Sequence, residues 1–435
     1  MRALEPFLLV SLGCISIGCD PPAPIEDGAG TSRTGTFIEQ VETKYFAKKP
    51  SCPSYSCGLN SPFIGHELNL DGAPNGALVR YTGAQHLDHG TVSVEVAGDE
   101  LIARVGASVL TGADLVGLSL ELEGEVDGAT VALTAKLVEF AWVPMWTTGV
   151  ADEPPVVPSY KFVYASPGIG NQLLCPSPTE GHSEDPAEVL LAQQQAALFD
   201  AGELGDLEEL NASLAVTHRP YHAVLFAGER FEFDTAEIYA SEQLEWFNWG
   251  CAGSSAAKLH LTGHTAAATA RAELAKPASA DQKQAMLYAY TATYCPGARR
   301  MTVPGHPIRI AEAQGLVARE GDVSFVPRAS GTVEALWGPH GAECLSLPRL
   351  ETEDLSVWGE ILDACPSIPE CPDREELIAA DESDNLLNET TSVFTFNLAL
   401  DSCQGRCGSA GPGFDCTTTC ASGGTCSSDY DDVCP

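Results

Sequence analysis

Basic residues are scarce in this sequence, whose 435 residues include 23 Lys and Arg against 60 Asp and Glu. The resulting formal net charge of −37 repels phosphate backbones, which proteins bind by displacing counterions with Lys and Arg. Nucleic acid is therefore excluded as a partner. Hydrophobic residues make up 44% of the chain, an ordinary share for a globular protein, so wholesale disorder is excluded as well.

The motifs of several common catalytic sites are missing. The sequence has no GxSxG elbow, no Walker A loop, no GxGxxG after a strand and no HExxH helix. Two histidine pairs have the spacing of zinc ligands on a helix, His218/His222 and His260/His264. A proline or glycine interrupts each pair, which favours histidines on the surface or in loops. We expect no metal site, no cofactor and no catalytic residue that the sequence alone identifies.

Cysteine, by contrast, is abundant, with 16 residues, and none of them forms a cluster with zinc-ligand spacing. This usage is typical of disulfides in an oxidising compartment. Two short loops are flanked by cysteine pairs, Cys52–Cys57 and Cys365–Cys371. Four further cysteines allow three connectivities: Cys175, Cys251, Cys295 and Cys344. Among these connectivities we favour Cys175–Cys251 with Cys295–Cys344.

The N-terminal apolar run from Phe7 to Gly18 has the length of a signal peptide and is too short to span a bilayer as a stable helix. It ends in Ser-Ile-Gly-Cys19, which resembles a bacterial lipobox. The resemblance implies an exported protein that is lipidated at Cys19 and anchored to a bacterial membrane, facing the periplasm or the cell surface. Cys14 is a second candidate for lipidation, and a plain secretory signal is the alternative.

Hydrophobic patterning predicts an α+β fold, mainly antiparallel β-sheet or sandwich with a few helices. Helices are expected over Asp185–Leu210 and Asp281–Thr293, the second with Asp281 and Gln284 as a capping pair. We divide the chain as follows: signal peptide 1–19, flexible tether 20–36, β-rich domain 37–165, a second domain 166–366, an acidic connector with one strand 367–400, and a disulfide module 401–435.

The last segment has its own cysteine pattern, which opens CxGxC at Cys403, continues through Cys416-TTT-Cys420 and ends DYDDVC at Cys434. It resembles a somatomedin-B-like module with two of the family's eight cysteines replaced. The resemblance implies the pairs Cys403–Cys416, Cys407–Cys434 and Cys420–Cys426. A module this small has almost no apolar core, so we expect it to depend on these bridges. The residues between its central cysteines do not match the family's binding segment, so no binding function is carried over.

A second resemblance covers about Tyr160 to Pro366. Its centre is the segment QAMLYAYTATYC, Gln284 to Cys295, which resembles the signature helix of the ADYC-domain family. The surrounding segments GCAGSSAAK, VPGHPIRI and ALWGPHGAEC resemble that family as well. Thr293 stands where the family's name has Asp. The resemblance implies an exported globular domain and brings no activity with it.

Two function classes remain. We favour a non-enzymatic surface protein that binds a protein or a glycan, and the alternative is a secreted hydrolase with unidentified carboxylate catalysts. A cleft with two carboxylates of raised pKa would favour the enzyme, and an exposed apolar patch would favour the binding protein. Four tryptophans occur in two close pairs, a spacing that favours core packing over a carbohydrate platform: Trp142, Trp146, Trp246 and Trp249.

Lipid anchoring leads to the first testable prediction. Several acyl chains anchor a protein stably, whereas one chain binds a membrane only marginally. Replacing Cys19 with Ser should move the protein from the membrane fraction of intact cells into the soluble exported fraction, as judged by fractionation and immunoblotting. The same replacement at Cys14 is the control and should leave the protein in the membrane fraction. Membrane retention of the Cys19→Ser protein would contradict the assignment.

Overall fold

The structure, a computed structural model, describes six stretches of the chain. They are residues 65–302, 308–312, 332–349, 357–372, 393–397 and 410–415. Within them, gaps occur at 77, 127–128, 146–154, 167–168, 176–185, 214–221, 233–234, 241–244, 275–276 and 412–413. Cys19, the Cys52–Cys57 pair and the six cysteines of the C-terminal module all lie outside the described residues, as do His218 and Trp146.

A large antiparallel sheet forms the body of the molecule, in the order β1-β13-β10-β8-β7-β6-β2-β3-β4-β5, with β9 paired to β8. Its strands are β1 (His66–Asn69), β2 (Arg80–His86), β3 (Gly90–Ala97), β4 (Glu100–Val105), β5 (Ser108–Thr111), β6 (Leu118–Val126), β7 (Ala129–Pro144), β8 (Val156–Ser166), β9 (Ile169–Leu173), β10 (His222–Ala227) and β13 (Trp246–Cys251). The expected α+β fold with antiparallel sheet is confirmed.

The sheet curls because its β3–β4 hairpin folds back onto β10 and β8. Ala227 donates its N–H to the carbonyl of Gly98 at 2.8 Å, and Leu101 donates to the Tyr160 hydroxyl at 2.9 Å. The alternating apolar residues of these strands bury one core inside the curl, with Leu120, Leu133 and Phe162 among its members. Period-two alternation thus places one side of each strand in this core.

A bulge in β7 decides which of its residues face that core. The register between β7 and β8 shifts between Leu137 and Glu139. Leu137 pairs with Phe162 and Phe140 pairs with Tyr160, so odd-numbered residues face the inner core before the bulge and even-numbered residues face it after the bulge. Trp142 therefore continues the inner face beyond Phe140.

The second half of the chain adds smaller sheets and helices. The remaining strands are β11 (Glu229–Glu232), β12 (Glu237–Ala240), β14 (Ile308–Glu312), β15 (Thr332–Gly338), β16 (Gly341–Leu345), β17 (Val393–Asn397), β18 (Ala410–Gly411) and β19 (Phe414–Asp415). The α-helices are α1 (Pro186–Ala201), α2 (Leu204–Ser213), α3 (Ser255–Leu261), α4 (Ala266–Arg271), α5 (Ala280–Thr291) and α6 (Val357–Ala364). A short 3₁₀-helix spans Gly112–Leu115.

Helix α5 lies at the centre of the largest apolar core. Met286, Leu287 and Tyr290 pack there with residues of α3, α4 and the four-stranded sheet β14-β17-β15-β16. Helices α1 and α2 cover a third, smaller core that includes Phe199 and Leu207. Among the described residues, no helix is both long enough and apolar enough to cross a membrane.

Three expected boundaries need correction. The division at 165/166 falls inside β8, which pairs with β7 on one side and β10 on the other, so both proposed domains share one sheet. The strand assigned to the connector, β17, lies between β14 and β15 and completes the second sheet. The single helix expected over Asp185–Leu210 is two helices, because the chain takes a positive φ of 75° at Gly202.

The capping pair expected for α5 is also wrong. Ser279 begins the helix, and its hydroxyl accepts the N–H of Gln282 at 3.1 Å. Gln284 instead bonds to β12 and to Ala236, the residue before that strand. Its amide Nε2 donates to the carbonyl of Ala236, and its amide oxygen accepts the N–H of Ile238. The helix ends at Ala292, which adopts the left-handed conformation with φ 50°.

The six described cysteines of the main body form three disulfides: Cys175–Cys251, Cys295–Cys365 and Cys344–Cys371. The first is the pairing that we favoured from the sequence. The expected pairs Cys365–Cys371 and Cys295–Cys344 are wrong. The segment after α6 runs beside β16, where Leu345 donates to the carbonyl of Pro369 at 2.9 Å, and this places Cys371 against β16. Cys365, the residue after α6, meets Cys295 instead, four residues past the end of α5.

Peptide mapping tests this connectivity. Mature protein digested without reductant should release the peptides of Cys295 and Cys365 as one linked species and those of Cys344 and Cys371 as another. The bridges close loops of 70 and 27 residues, which restricts the unfolded chain far more than a six-residue loop would. A linked peptide containing Cys365 and Cys371 alone would contradict the structure.

Candidate functional site

The signature segment ends in a fully buried polar network that we call the signature network, formed by Tyr294, Glu334 and Arg349. Arg349 donates from Nε and Nη2 to the Glu334 carboxylate, the second bond at 3.0 Å, and both side chains are completely buried. Tyr294 donates its hydroxyl to Glu334 at 2.8 Å. Burial, followed by the nearby Glu334 charge, raises the pKa of Tyr294 well above its ordinary value.

Arg349 also donates hydrogen bonds to the carbonyl groups at the C-terminal end of α5. Its Nη2 donates to the carbonyl of Ala289 at 2.8 Å and its Nη1 to that of Tyr290 at 3.3 Å. These are among the last carbonyls of the helix, which have no partner within it. Tyr294 stacks on Trp337 with ring centroids 5.2 Å apart. The signature residues therefore hold the fold together, and none of them is placed to meet a substrate.

A glycine in the ALWGPHGAEC segment serves the same network. Gly341 has a φ of 106°, and a Cβ at this position would lie 2.5 Å from the carbonyl oxygen of Tyr294. Ala342 donates its N–H to that same oxygen at 2.8 Å. The β15–β16 turn thus needs glycine so that it can approach the end of the signature segment.

A second polar cluster joins the β3–β4 hairpin to the helices, and we call it the clamp: Asp99, His260 and Arg271. Asp99 accepts a bidentate pair from Nε and Nη2 of Arg271 and lies 3.4 Å from His260 Nε2. Burial raises the pKa of Asp99, but bonds from His260 and Arg271 outweigh burial and lower the pKa overall. His260 stacks on Phe226 with centroids 4.8 Å apart, and its Nδ1 lies 2.8 Å from the Thr265 hydroxyl.

Two groups therefore have the connectivity of a hydrolytic triad, a hydroxyl next to a histidine next to a carboxylate. The first is Thr265–His260–Asp99, in which the Thr265 hydroxyl accepts the N–H of Ala268 as the cap of α4. Thr265 and His260 are almost completely buried. The hydroxyl serves as a helix cap and is closed off from solvent.

The second group is Ser159–His222–Glu139, on three neighbouring strands. The Ser159 hydroxyl lies 3.1 Å from His222 Nδ1, and His222 Nε2 lies 3.5 Å from Glu139. However, Ser159 donates to the carbonyl of Ala141 at 2.9 Å. It also sits inside β8, 1% exposed, instead of at the sharp turn that presents a nucleophile. Neither group is arranged for acyl transfer.

The histidines expected at the surface or in loops are buried. His222 lies in β10 and His260 in α3, both at most 4% exposed, which corrects the expectation for these two; His264 lies in the loop before α4, as expected, but is buried. Gly263 does end α3 before His264, but α4 and α5 then cover the turn. Burial, together with the charge of Lys283, lowers the pKa of His264 to about 3, so the imidazole is neutral. Burial also lowers the pKa of Lys258 well below its ordinary value.

Within the described part of the chain, no group of three or more His, Cys, Asp or Glu side chains is placed to hold a metal ion. Asp99, the buried carboxyl group of the clamp, has a lowered pKa and so differs from the raised pKa expected of a hydrolase carboxylate.

An exposed aromatic surface is the feature that remains, and we call it the Trp142 surface: Trp142, Pro144 and Val156 beside Arg271. Trp142 is 48% exposed and Val156 is 44% exposed. Pro144 pairs with Val156 across β7 and β8, so the three side chains share one face of the sheet. Trp246 and Trp249 are buried, as expected, whereas Trp142 corrects the prediction of core packing.

Trp142 is held from two sides. Its ring meets Phe140 edge to face, with centroids 5.3 Å apart, and the Arg271 guanidinium lies 5.8 Å from its centroid. Behind Phe140, a row of rings continues into the inner core through Tyr160 and Phe162 to Trp249. The indole therefore has neighbours on two sides, while nearly half of the side chain is exposed. The alternation of Phe140, Trp142 and Pro144 is the sequence signal that identifies this strand face.

The fold and these clusters define a disulfide-bonded α+β protein with a buried polar interior, and the disulfides indicate an extracytoplasmic location. The ADYC domain model matches residues 112–351, more than half of the chain. The chain therefore belongs to the ADYC-domain family. The match begins at residue 112, before β6, whereas the resemblance in the sequence covers about Tyr160 to Pro366. No curated protein and no solved structure matches this chain.

The buried His264 leads to a prediction about pH. Its pKa is about 3 in the folded protein and ordinarily 6.5, so below pH 6.5 the unfolded chain takes up a proton that the folded chain does not. Stability contributed by neutral His264 is therefore lost as the pH falls from about 6.5 towards 3, by up to about 1.4 kcal/mol per pH unit. The His264→Leu protein should lose stability less steeply with acid than the native protein.

Urea unfolding at pH 7, 6, 5 and 4 measures these slopes. Replacing the exposed His340 with Gln is the matched control and should leave the native slope unchanged. Parallel slopes for the native and His264→Leu proteins would show that His264 is not buried in its neutral form.

Proposed function

We propose that the protein is an exported surface lipoprotein, anchored through Cys19, that binds a saccharide on the Trp142 surface. One observation carries the proposal: an indole that is 48% exposed and yet fixed by Phe140 and Arg271. The C–H bonds of a pyranose ring pack well on the electron-rich face of such an indole. The disulfide-rich tail, with the somatomedin-B-like pairing, serves in this proposal as a stable terminal cap.

The size of the surface favours a saccharide over a protein partner. Among the described residues, the Trp142 surface presents three apolar side chains and one guanidinium, which suits one or two sugar rings. A stable protein interface buries roughly 800 Å² on each partner, from about 20 residues or more. An exposed aromatic ring with apolar and hydrogen-bonding neighbours suits a sugar ring, which has both C–H faces and hydroxyl groups.

The hydrolase alternative has less support. The sequence left its carboxylate catalysts unidentified. In the triad-like group Ser159–His222–Glu139, the serine proton is donated to the carbonyl of Ala141. A nucleophile must instead lose its proton to the histidine as it attacks. The binding function therefore accounts best for the described side chains.

Saccharide titration tests the proposal. Native protein should bind neutral trisaccharides, cellotriose or chitotriose, with heat measurable by calorimetry. The Trp142→Ala protein should bind at least tenfold more weakly, about 1.4 kcal/mol, because the stacking face is lost. The control is Tyr239→Ala, which removes an aromatic side chain of equal exposure, 49%, from β12 and should leave binding unchanged.

Two results would count against this function. One is that the native protein binds neither cellotriose nor chitotriose. The other is an equal loss of affinity in the Trp142→Ala and Tyr239→Ala proteins, which would place the saccharide elsewhere. Thermal unfolding of each variant establishes that a loss of binding does not reflect a loss of fold.

A further inference from the structure

The hydrogen bonds of Arg271 leave part of its guanidinium unused. Nε and Nη2 both donate to Asp99. Within the described part of the protein, Nη1 donates to no acceptor, and the side chain is 24% exposed beside Trp142. The clamp therefore fixes a guanidinium that has two N–H donors left and lies over the Trp142 ring, 5.8 Å from its centroid.

A second arginine–tryptophan stack in the same protein, Arg230 on Trp246, has a buried indole. Arg230 donates from Nε and Nη2 to Glu67, as Arg271 does to Asp99. There the guanidinium lies 3.7 Å from the ring centroid of Trp246, and that indole is only 6% exposed. At Trp142 the corresponding distance is 5.8 Å, and nearly half of the side chain is exposed. The Arg230 stack buries its indole, whereas the Arg271 stack leaves its indole accessible.

Charge determines which acceptor suits the Arg271 donors. The bidentate bond to Asp99 balances the guanidinium charge, and the neighbouring Glu100 adds a further negative charge. The chain as a whole has a net charge of −37. An anionic ligand is therefore repelled, and a neutral oxygen acceptor such as an amide carbonyl is preferred. The apolar side chains of Pro144 and Val156 lie next to Trp142 and suit a methyl group.

We propose that Arg271 makes the Trp142 surface selective for acetamido sugars. The pyranose ring stacks on Trp142, the acetamide carbonyl accepts from Nη1 of Arg271, and the acetamide methyl group packs on Pro144 and Val156. This inference rests on the proposed saccharide binding at Trp142. It adds the chemical class of the ligand and the residue that selects it.

Chitotriose and cellotriose separate this inference from the proposal on which it rests. The two trisaccharides are neutral and differ in having an acetamido group or a hydroxyl group at the same carbon of each ring. Native protein should bind chitotriose about tenfold more tightly, since one added hydrogen bond and a buried methyl group act only on that ligand. The Arg271→Lys protein should lose most of this preference, because its affinity for chitotriose falls more than its affinity for cellotriose.

The matched control is Arg230→Lys, which disturbs the Arg230 stack and should retain the tenfold preference. A second variant, Val156→Ser, leaves the clamp intact and should reduce the preference through the methyl contact alone. Equal affinity of native protein for both trisaccharides would overturn this inference and leave saccharide binding standing. So would an unchanged preference in both the Arg271→Lys and Val156→Ser proteins. Failure of both trisaccharides to bind would instead reject the proposed function.

Discussion

The buried ion pair between Glu334 and Arg349 is the interaction on which the rest of the second half depends. Two charges taken out of water cost several kcal/mol each unless they are paired and fully hydrogen-bonded. Here the pair is completed by the Tyr294 hydroxyl and by the end carbonyls of α5. Loss of one partner would leave the other charged and buried. The pair therefore locks β15, the end of α5 and the residues before the disulfide at Cys295 into one arrangement.

The clamp holds elements of the first half in place in a similar way. A hairpin from the N-terminal strands contributes Asp99, and the helical half contributes His260 and Arg271. The clamp closes the curl of the sheet against α3 and α4, and it also orients the guanidinium beside Trp142. Arg271 thus has a structural role in the clamp and a proposed role in recognition. A side chain that the fold already holds in place loses little conformational entropy when a ligand binds.

Histidines next to hydroxyls and carboxylates are commonly associated with catalysis, and this protein shows why their context matters. In both triad-like groups the hydroxyl already has a structural hydrogen bond, to the Ala141 carbonyl or from the Ala268 N–H. Buried polar groups need partners, and a protein with many of them arranges chains of donors and acceptors for stability alone. A linked hydroxyl, histidine and carboxylate that are buried, and whose hydroxyl already has a structural hydrogen bond, are therefore part of a stable core.

The sequence by itself determined the α+β class with antiparallel sheet, the oxidising environment and the family, because alternation, cysteine usage and signature segments are local patterns. It also identified α5, although not the Ser279 cap. Only the tertiary structure decided that the two halves share one sheet, that Cys365 meets Cys295, and that Arg349 completes the signature network. It also decided that Trp142 is exposed, although the bulge after Leu137 places it on the same strand face as Phe140, which contacts the inner core. These features depend on residues distant in the chain meeting in space, and no local pattern encodes such meetings.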